Sequence, residues 1–97
     1  MMPTENTKKE GQGREKNRIS VTIRHEGQTA TIEFNIHQKI RKVLADAIEA
    51  LGLQPPPNSV PYLEFEGKRL DEPEKSLQDY QIPDGAVIDL FYHPRAG

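Results

Sequence analysis

The chain contains no cysteine and no tryptophan, and nowhere does it hold a long apolar run. Without cysteine there is no disulfide to stabilise a small domain, no thiolate nucleophile and no cysteine-based metal site. A membrane-spanning helix needs about 20 consecutive apolar residues, which this sequence lacks, and its first residues lack the apolar stretch of a secretory signal. Charge of one sign is also missing: 13 Lys and Arg stand against 15 Asp and Glu, a net charge of −2 that gives no electrostatic basis for binding nucleic acid. These absences lead us to expect a cytoplasmic protein with no membrane and no nucleic-acid partner.

What remains is 97 residues, room for one domain, with 34% hydrophobic and 29% charged residues. Apolar content that low is compatible with disorder, so its distribution decides. From Met1 to Lys16 the methionines are the only apolar residues of any size. Such a stretch cannot offset an ordering cost of about 1–2 kcal/mol per residue, and residues 1–17 are expected to form a disordered tail. A folded domain is expected over 18–92, with 93–97 as a flexible C-terminal tail.

Within the domain the hydrophobic period changes in a readable order. Arg18–Arg24 alternates strictly, placing Ile19, Val21 and Ile23 on one face, and Thr29–Asn35 does the same with Ala30, Ile32 and Phe34. Between them Gly27 supplies the positive φ of a hairpin loop. Ile40, Val43, Leu44, Ala47, Ile48 and Leu51 recur at helical spacing, with Gly52 and three prolines (Pro55, Pro56, Pro57) to end the helix. Asn35 is the nearest candidate for its cap. Basic Lys39, Arg41 and Lys42 in its first turns and Glu49 near its end oppose the helix dipole and read as a solvated face. Tyr62–Glu66 is a third strand with Leu63 and Phe65 inward, Gly67-Lys68 a turn, and Arg69-Leu70 a short return strand. Ser76–Tyr80 reads as one helical turn burying Leu77 and Tyr80, and Ala86–Tyr92 as a strongly apolar central strand. A single oily sheet face beside a single helix requires the helix to cross the sheet, with the last strand parallel to the first. The expected fold is α+β, a β-grasp with one main helix packed across a mixed sheet.

The segments Leu63–Leu70 (LEFEGKRL), Ser76–Ile82 (SLQDYQI) and Ala86–Gly97 occur in the order and spacing of the second half of ubiquitin. The chain resembles the ubiquitin-like family over about Ile19–Gly97, and also resembles the bacterial ubiquitin-like proteins found beside activating- and conjugating-enzyme homologues. The resemblance implies a monomeric protein modifier that is not itself an enzyme and uses no cofactor. Its partners would be activating and conjugating enzymes, a deconjugating peptidase and a target protein, with Gly97 the residue conjugated and His93, Pro94, Arg95 and Ala96 recognised as its tail. A sulfur carrier using a C-terminal thiocarboxylate, or an interaction module without conjugation, are the alternatives.

Two departures from the family pattern stand out. The chain ends Arg95-Ala96-Gly97, without a second glycine. The outward positions of the sheet carry Glu64 where ubiquitin has isoleucine, and Asp89-x-Phe91 where it has His-x-Val, so receptors of ubiquitin itself are not expected to bind. Tyr62, Glu64, Val87, Asp89 and Phe91 on that outer face form the expected partner surface, exposed aromatics flanked by acids. His25, His37 and His93 lie far apart in sequence, so no metal site is expected, and no catalytic set can be assembled.

If the first residues contribute no apolar contact, deleting Met1–Lys16 will move the thermal midpoint by less than about 2 °C, under ~0.5 kcal/mol in a domain this size. A drop of many degrees would show that the segment docks on the domain.

Overall fold

The computed structural model describes residues 17–95. The expected disorder of residues 1–16, and the residues Ala96 and Gly97, lie outside the described residues. Five strands and one helix follow in the order β1 (Arg18–His25), β2 (Gln28–Asn35), α1 (Ile40–Leu51), β3 (Ser59–Phe65), β4 (Lys68–Arg69) and β5 (Ala86–Pro94). The sheet runs β2-β1-β5-β3-β4, with β1 and β5 parallel and the other neighbours antiparallel. This is the expected β-grasp. Among the described residues no helix is long and apolar enough to cross a membrane.

The same dipeptide, Glu-Gly, makes both hairpins. Glu26 (φ 48°) and Gly27 (φ 84°) join β1 to β2, and Glu66 (φ 52°) and Gly67 (φ 80°) join β3 to β4. Positive φ at both central residues is the backbone twist that suits two-residue turns between twisted strands. Each turn sets its register, His25 opposite Gln28 and Phe65 opposite Lys68.

At its C-terminus α1 ends as its sequence dictates: Gly52 takes a left-handed φ of 64°, and the N–H groups of Gly52 and Leu53 donate to the carbonyls of Glu49 (3.1 Å) and Ile48 (3.0 Å). The start differs from expectation. Asn35 does not cap the helix; its Oδ1 accepts from the His37 N–H (2.8 Å), and Lys39 occupies the cap position without a side-chain bond. The free N–H groups are satisfied from a distant loop instead. Ile40 N–H donates to Lys75 O (2.8 Å) and Arg41 N–H to Pro73 O (3.1 Å).

The same loop supplies the missing charge. Glu74 bonds Lys39 Nζ through Oε1 and Arg41 Nε through Oε2, each at 3.0 Å. The Lys39 hydrogen bond, with the charges of Arg41 and Lys39 behind it, holds the Glu74 carboxyl below the usual carboxylate range. Lys39 and Arg41 are thus counterions to Glu74 and Lys42 pairs with Asp46 (3.0 Å), while all three side chains stay exposed on the expected solvated face. The following turn is tied by a reciprocal pair, Ser76 N–H to Asp79 Oδ2 (2.9 Å) and Asp79 N–H to Ser76 Oγ (3.0 Å).

Several boundaries shift. Strand β4, expected at Arg69-Leu70 after a Gly67-Lys68 turn, is Lys68–Arg69 after a turn at Glu66-Gly67. Asn17, expected in the tail, accepts the Ile36 N–H at its carbonyl (2.7 Å). Strand β3 begins at Ser59 rather than Tyr62, because β5 is long enough to pair with it from there. Likewise β5 continues past Tyr92: His93 and Pro94 pair with Val60 and Ser59, and Arg95 N–H donates to Asn58 O (2.7 Å). His93, Pro94 and Arg95 are thus sheet-bound rather than a free tail.

Val21, Ile23, Val43, Ala47, Leu77 and Ile88 are completely buried, and Leu63 and Leu90 nearly so. The helix stripe is narrower than its periodicity implied, since Leu44, Ile48 and Leu51 are only half-buried and pack at the rim of the core. Leu77→Ala is therefore expected to cost about 2–5 kcal/mol. Leu44→Ala should cost about half as much, because its side chain keeps part of its surface in water. Urea denaturation of both variants checks the order, and equal losses would contradict this packing.

Candidate functional site

Strand alternation divides the sheet into a buried and an open face. The buried residues Val21, Ile23, Leu63, Ile88 and Leu90 fix the parity. Thr22 and Arg24 of β1, Val87, Asp89, Phe91 and His93 of β5, Val60, Tyr62 and Glu64 of β3 and Arg69 of β4 consequently share the outer face. All five residues expected there (Tyr62, Glu64, Val87, Asp89 and Phe91) lie on it.

Register then brings them together. Phe91 sits opposite Tyr62, and their rings meet at 5.5 Å between centroids. His93 lies one step further along β5, and its ring centroid is 5.4 Å from that of Tyr62. The guanidinium of Arg69 lies 4.0 Å from the centre of the Tyr62 ring, within cation–π range. Its Nη2 donates to His93 Nε2 at 2.8 Å. Arginine only donates, so that nitrogen accepts and the proton resides on Nδ1, which bonds Pro94 O at 3.0 Å. A second row runs Arg24, Asp89, Glu64, Arg69 across four strands. Asp89 accepts from Arg24 Nε (2.6 Å) and Nη2 (3.2 Å), and this bond, together with the Asp89 charge, raises the guanidinium pKa further.

Arg24 and Arg69 were not singled out from the sequence. For Arg69 a signal existed, since a two-residue turn at Glu66-Gly67 places it opposite Glu64. For Arg24 none did, because its partner depends on the register of two strands that meet only in the folded chain.

Among the concavities that border the face, two lie beside β5. One, of about 440 Å³, lies beside Val87 and is lined by Glu66, Asp84, Asp89 and Arg24 among others. The other, of about 580 Å³, opens at the end of the sheet near His25, Leu53 and Tyr92. There His25 Nδ1–H donates to Leu90 O (2.8 Å) and its ring meets Tyr92 edge-on at 5.6 Å. Neither brings a nucleophile to a base, and among the described residues no three His, Asp or Glu side chains converge as metal ligands. Of the expected tail residues, His93 belongs to the aromatic cluster, while Pro94 and Arg95 stand exposed at the sheet corner. Ala96 and Gly97 lie outside the described residues.

Tyr92 Oη is buried with no hydrogen-bond partner among the described residues, and burial raises its pKa above the ordinary value of 10.0. Because the folded chain disfavours the phenolate, this group costs stability as pH rises past about 10. Tyr92→Phe should accordingly leave stability at neutral pH unchanged or raise it by about 1 kcal/mol, and should remove that alkaline loss. A clear decrease at neutral pH would mean that the hydroxyl is bonded.

Known proteins resemble this arrangement in fold. A designed protein based on ubiquitin superposes with a TM-score of 0.70 and 24% identity, covering 84% of this chain and 95% of its own. A solved chain from work on molecular mimicry of SUMO that promotes DNA repair gives a TM-score of 0.66 at 14% identity, covering 81% of this chain and 96% of its own. No curated protein matches the sequence. The fold is ubiquitin-like. Residues 14–93 match a family profile, and the chain belongs to that family, described as Protein of Unknown function (DUF2604).

Proposed function

We propose that this protein is a ubiquitin-like modifier, without catalytic activity of its own, whose Gly97 carboxylate is activated with ATP by a partner enzyme and joined to an amine of a target protein. The observation that carries the reading is the course of β5. It runs between β1 and β3 and leaves the sheet at Arg95, whose N–H is held by Asn58 O at 2.7 Å. The chain departs beside the Tyr62, Phe91 and His93 cluster. An enzyme gripping that face has whatever follows Arg95 within reach, at about 3.3–3.6 Å per extended residue.

Joining a carboxylate to an amine in water requires an activated acyl group. In the proposed sequence the Gly97 carboxylate attacks the α-phosphorus of ATP and pyrophosphate leaves. A cysteine thiolate of the enzyme then displaces AMP, and the target amine finally displaces the thiolate and loses a proton. A glycine at the acyl position has no Cβ to obstruct these transfers. A deconjugating peptidase would reverse the last bond by hydrolysis.

One observation favours a second reading, an interaction module without conjugation. His93–Arg95, which a modifier would present as part of a free stalk, are paired to Asn58–Val60.

Mass spectrometry of the tagged protein, expressed in its native cell and purified under denaturing conditions, tests the proposal. Trypsin cleaves after Arg95, so conjugation leaves an Ala-Gly remnant on target lysines. Deleting Gly97 shifts the carboxylate by about 3.3–3.6 Å, and a displacement of even ~1 Å can cost a hundredfold in a positioned attack. The variant should keep its thermal midpoint and yield no remnant. A sulfur-for-oxygen mass change on the wild type would instead mark a sulfur carrier, and unmodified protein throughout would leave the interaction module.

A further inference from the structure

The two large apolar side chains exposed among the described residues, Val87 (42%) and Phe91 (40%), both project from the outer face of β5. They flank Asp89, four positions apart, which on a strand is about 13 Å. Directly across from Asp89 on β3 stands Glu64. Like charges placed opposite each other on neighbouring strands destabilise a sheet. Asp89 is compensated by Arg24. Glu64 is not: among the described residues it has no ion pair and no side-chain hydrogen bond. Its cross-strand neighbour Arg69 is engaged elsewhere, stacked on Tyr62 and bonded to His93. The concavity beside Val87 extends this imbalance, with Glu66, Asp84 and Asp89 facing the one cation Arg24. The face thus offers two apolar contacts with an uncompensated carboxylate between them.

A partner complementary to this surface carries two apolar side chains with a cation between. No strand can add beside β5, which has a neighbour on each side, and Val87, Phe91 and Glu64 project from the face of the sheet rather than from an edge. Contact must be made by side chains. On an α-helix, apolar residues seven or eight positions apart lie about 10.5–12 Å apart on one face, close to the Val87–Phe91 spacing. A residue at the third or fourth position between them falls over Asp89 and Glu64.

We infer that the outer face of β5 and β3 docks an amphipathic helix of another protein whose apolar stripe is interrupted by a lysine or arginine. Val87 and Phe91, the latter backed by Tyr62, receive the apolar residues, and Glu64 receives the cation. This docking is independent of whether Gly97 is conjugated.

The test uses the full chain and a displayed library of helical peptides about 18 residues long, five turns, randomised along one face. The expected winners carry Leu, Met or Phe seven or eight positions apart with Lys or Arg between. Titrated into ¹⁵N-labelled protein, they should shift the amides of Tyr62–Glu64 and Val87–Phe91. Phe91→Ala should weaken binding roughly tenfold or more, as loss of a buried aromatic anchor does. Glu64→Gln should weaken it less, and Glu64→Lys should reverse the preference toward peptides with Glu at the central position. Both sites lie on the outer face, and unchanged thermal midpoints confirm that each of the three variants folds. Failure to enrich any peptide, enrichment of acidic helices, shifts confined to the β2 edge, or self-association of the chain through these same amides would overturn the inference.

Discussion

The parallel pairing of β1 with β5 is the constraint on which the rest of the molecule depends. The β1–β2 hairpin and the β3–β4–β5 segment each have one oily face, and only this pairing fuses them into one sheet. Its register, Val21 with Ala86 through Arg24 with Asp89, stacks buried residues under the sheet. It is clamped where it begins, Ser20 N–H donating to Asp84 Oδ1 and Gly85 N–H donating to Ser20 O, both at 2.7 Å. A slip of one residue would turn Ile88 and Leu90 to solvent and carry Asp89 into the core. Core and outer charge pattern are therefore set together.

That coupling explains which features were legible in the sequence. Hairpin β1–β2, helix α1 and its glycine stop rest on periodicity and turn chemistry within a few neighbouring residues, and the outward positions of Tyr62, Glu64, Val87, Asp89 and Phe91 follow from simple alternation. The cap of α1 was not legible, because its acceptors come from Pro73 and Lys75, more than thirty positions away, where a polar loop gives no sign of its partner. The start of β3 and the end of β5 were missed because proline cannot donate to a ladder, yet Pro61 and Pro94 both occupy paired positions near the end of the sheet. The ion pair of Arg24 depends on parallel register, which no local pattern encodes.

Strand β5 serves two purposes through the same alternation. Its inward residues Ala86, Ile88 and Leu90 belong to the core, while its outward residues Val87, Asp89, Phe91 and His93 make the candidate surface. A surface carried on a central strand inherits the rigidity of the core, which limits the ordering cost of binding. The Tyr62, Phe91, His93 and Arg69 cluster adds to this by fixing side chains before any partner arrives. What distinguishes this surface is Glu64 at its centre, a carboxylate in the row where the chain otherwise places a compensated pair.

Native-state amide hydrogen exchange tests the claim about β1 and β5 most directly. The account predicts that Val21 and Ile23 on β1 and Ile88 and Leu90 on β5 exchange slowest, all with one common free energy equal to that of global unfolding. Faster exchange of the β5 amides, with the β1–β2 hairpin still protected, would contradict it by showing that β5 opens independently of the core.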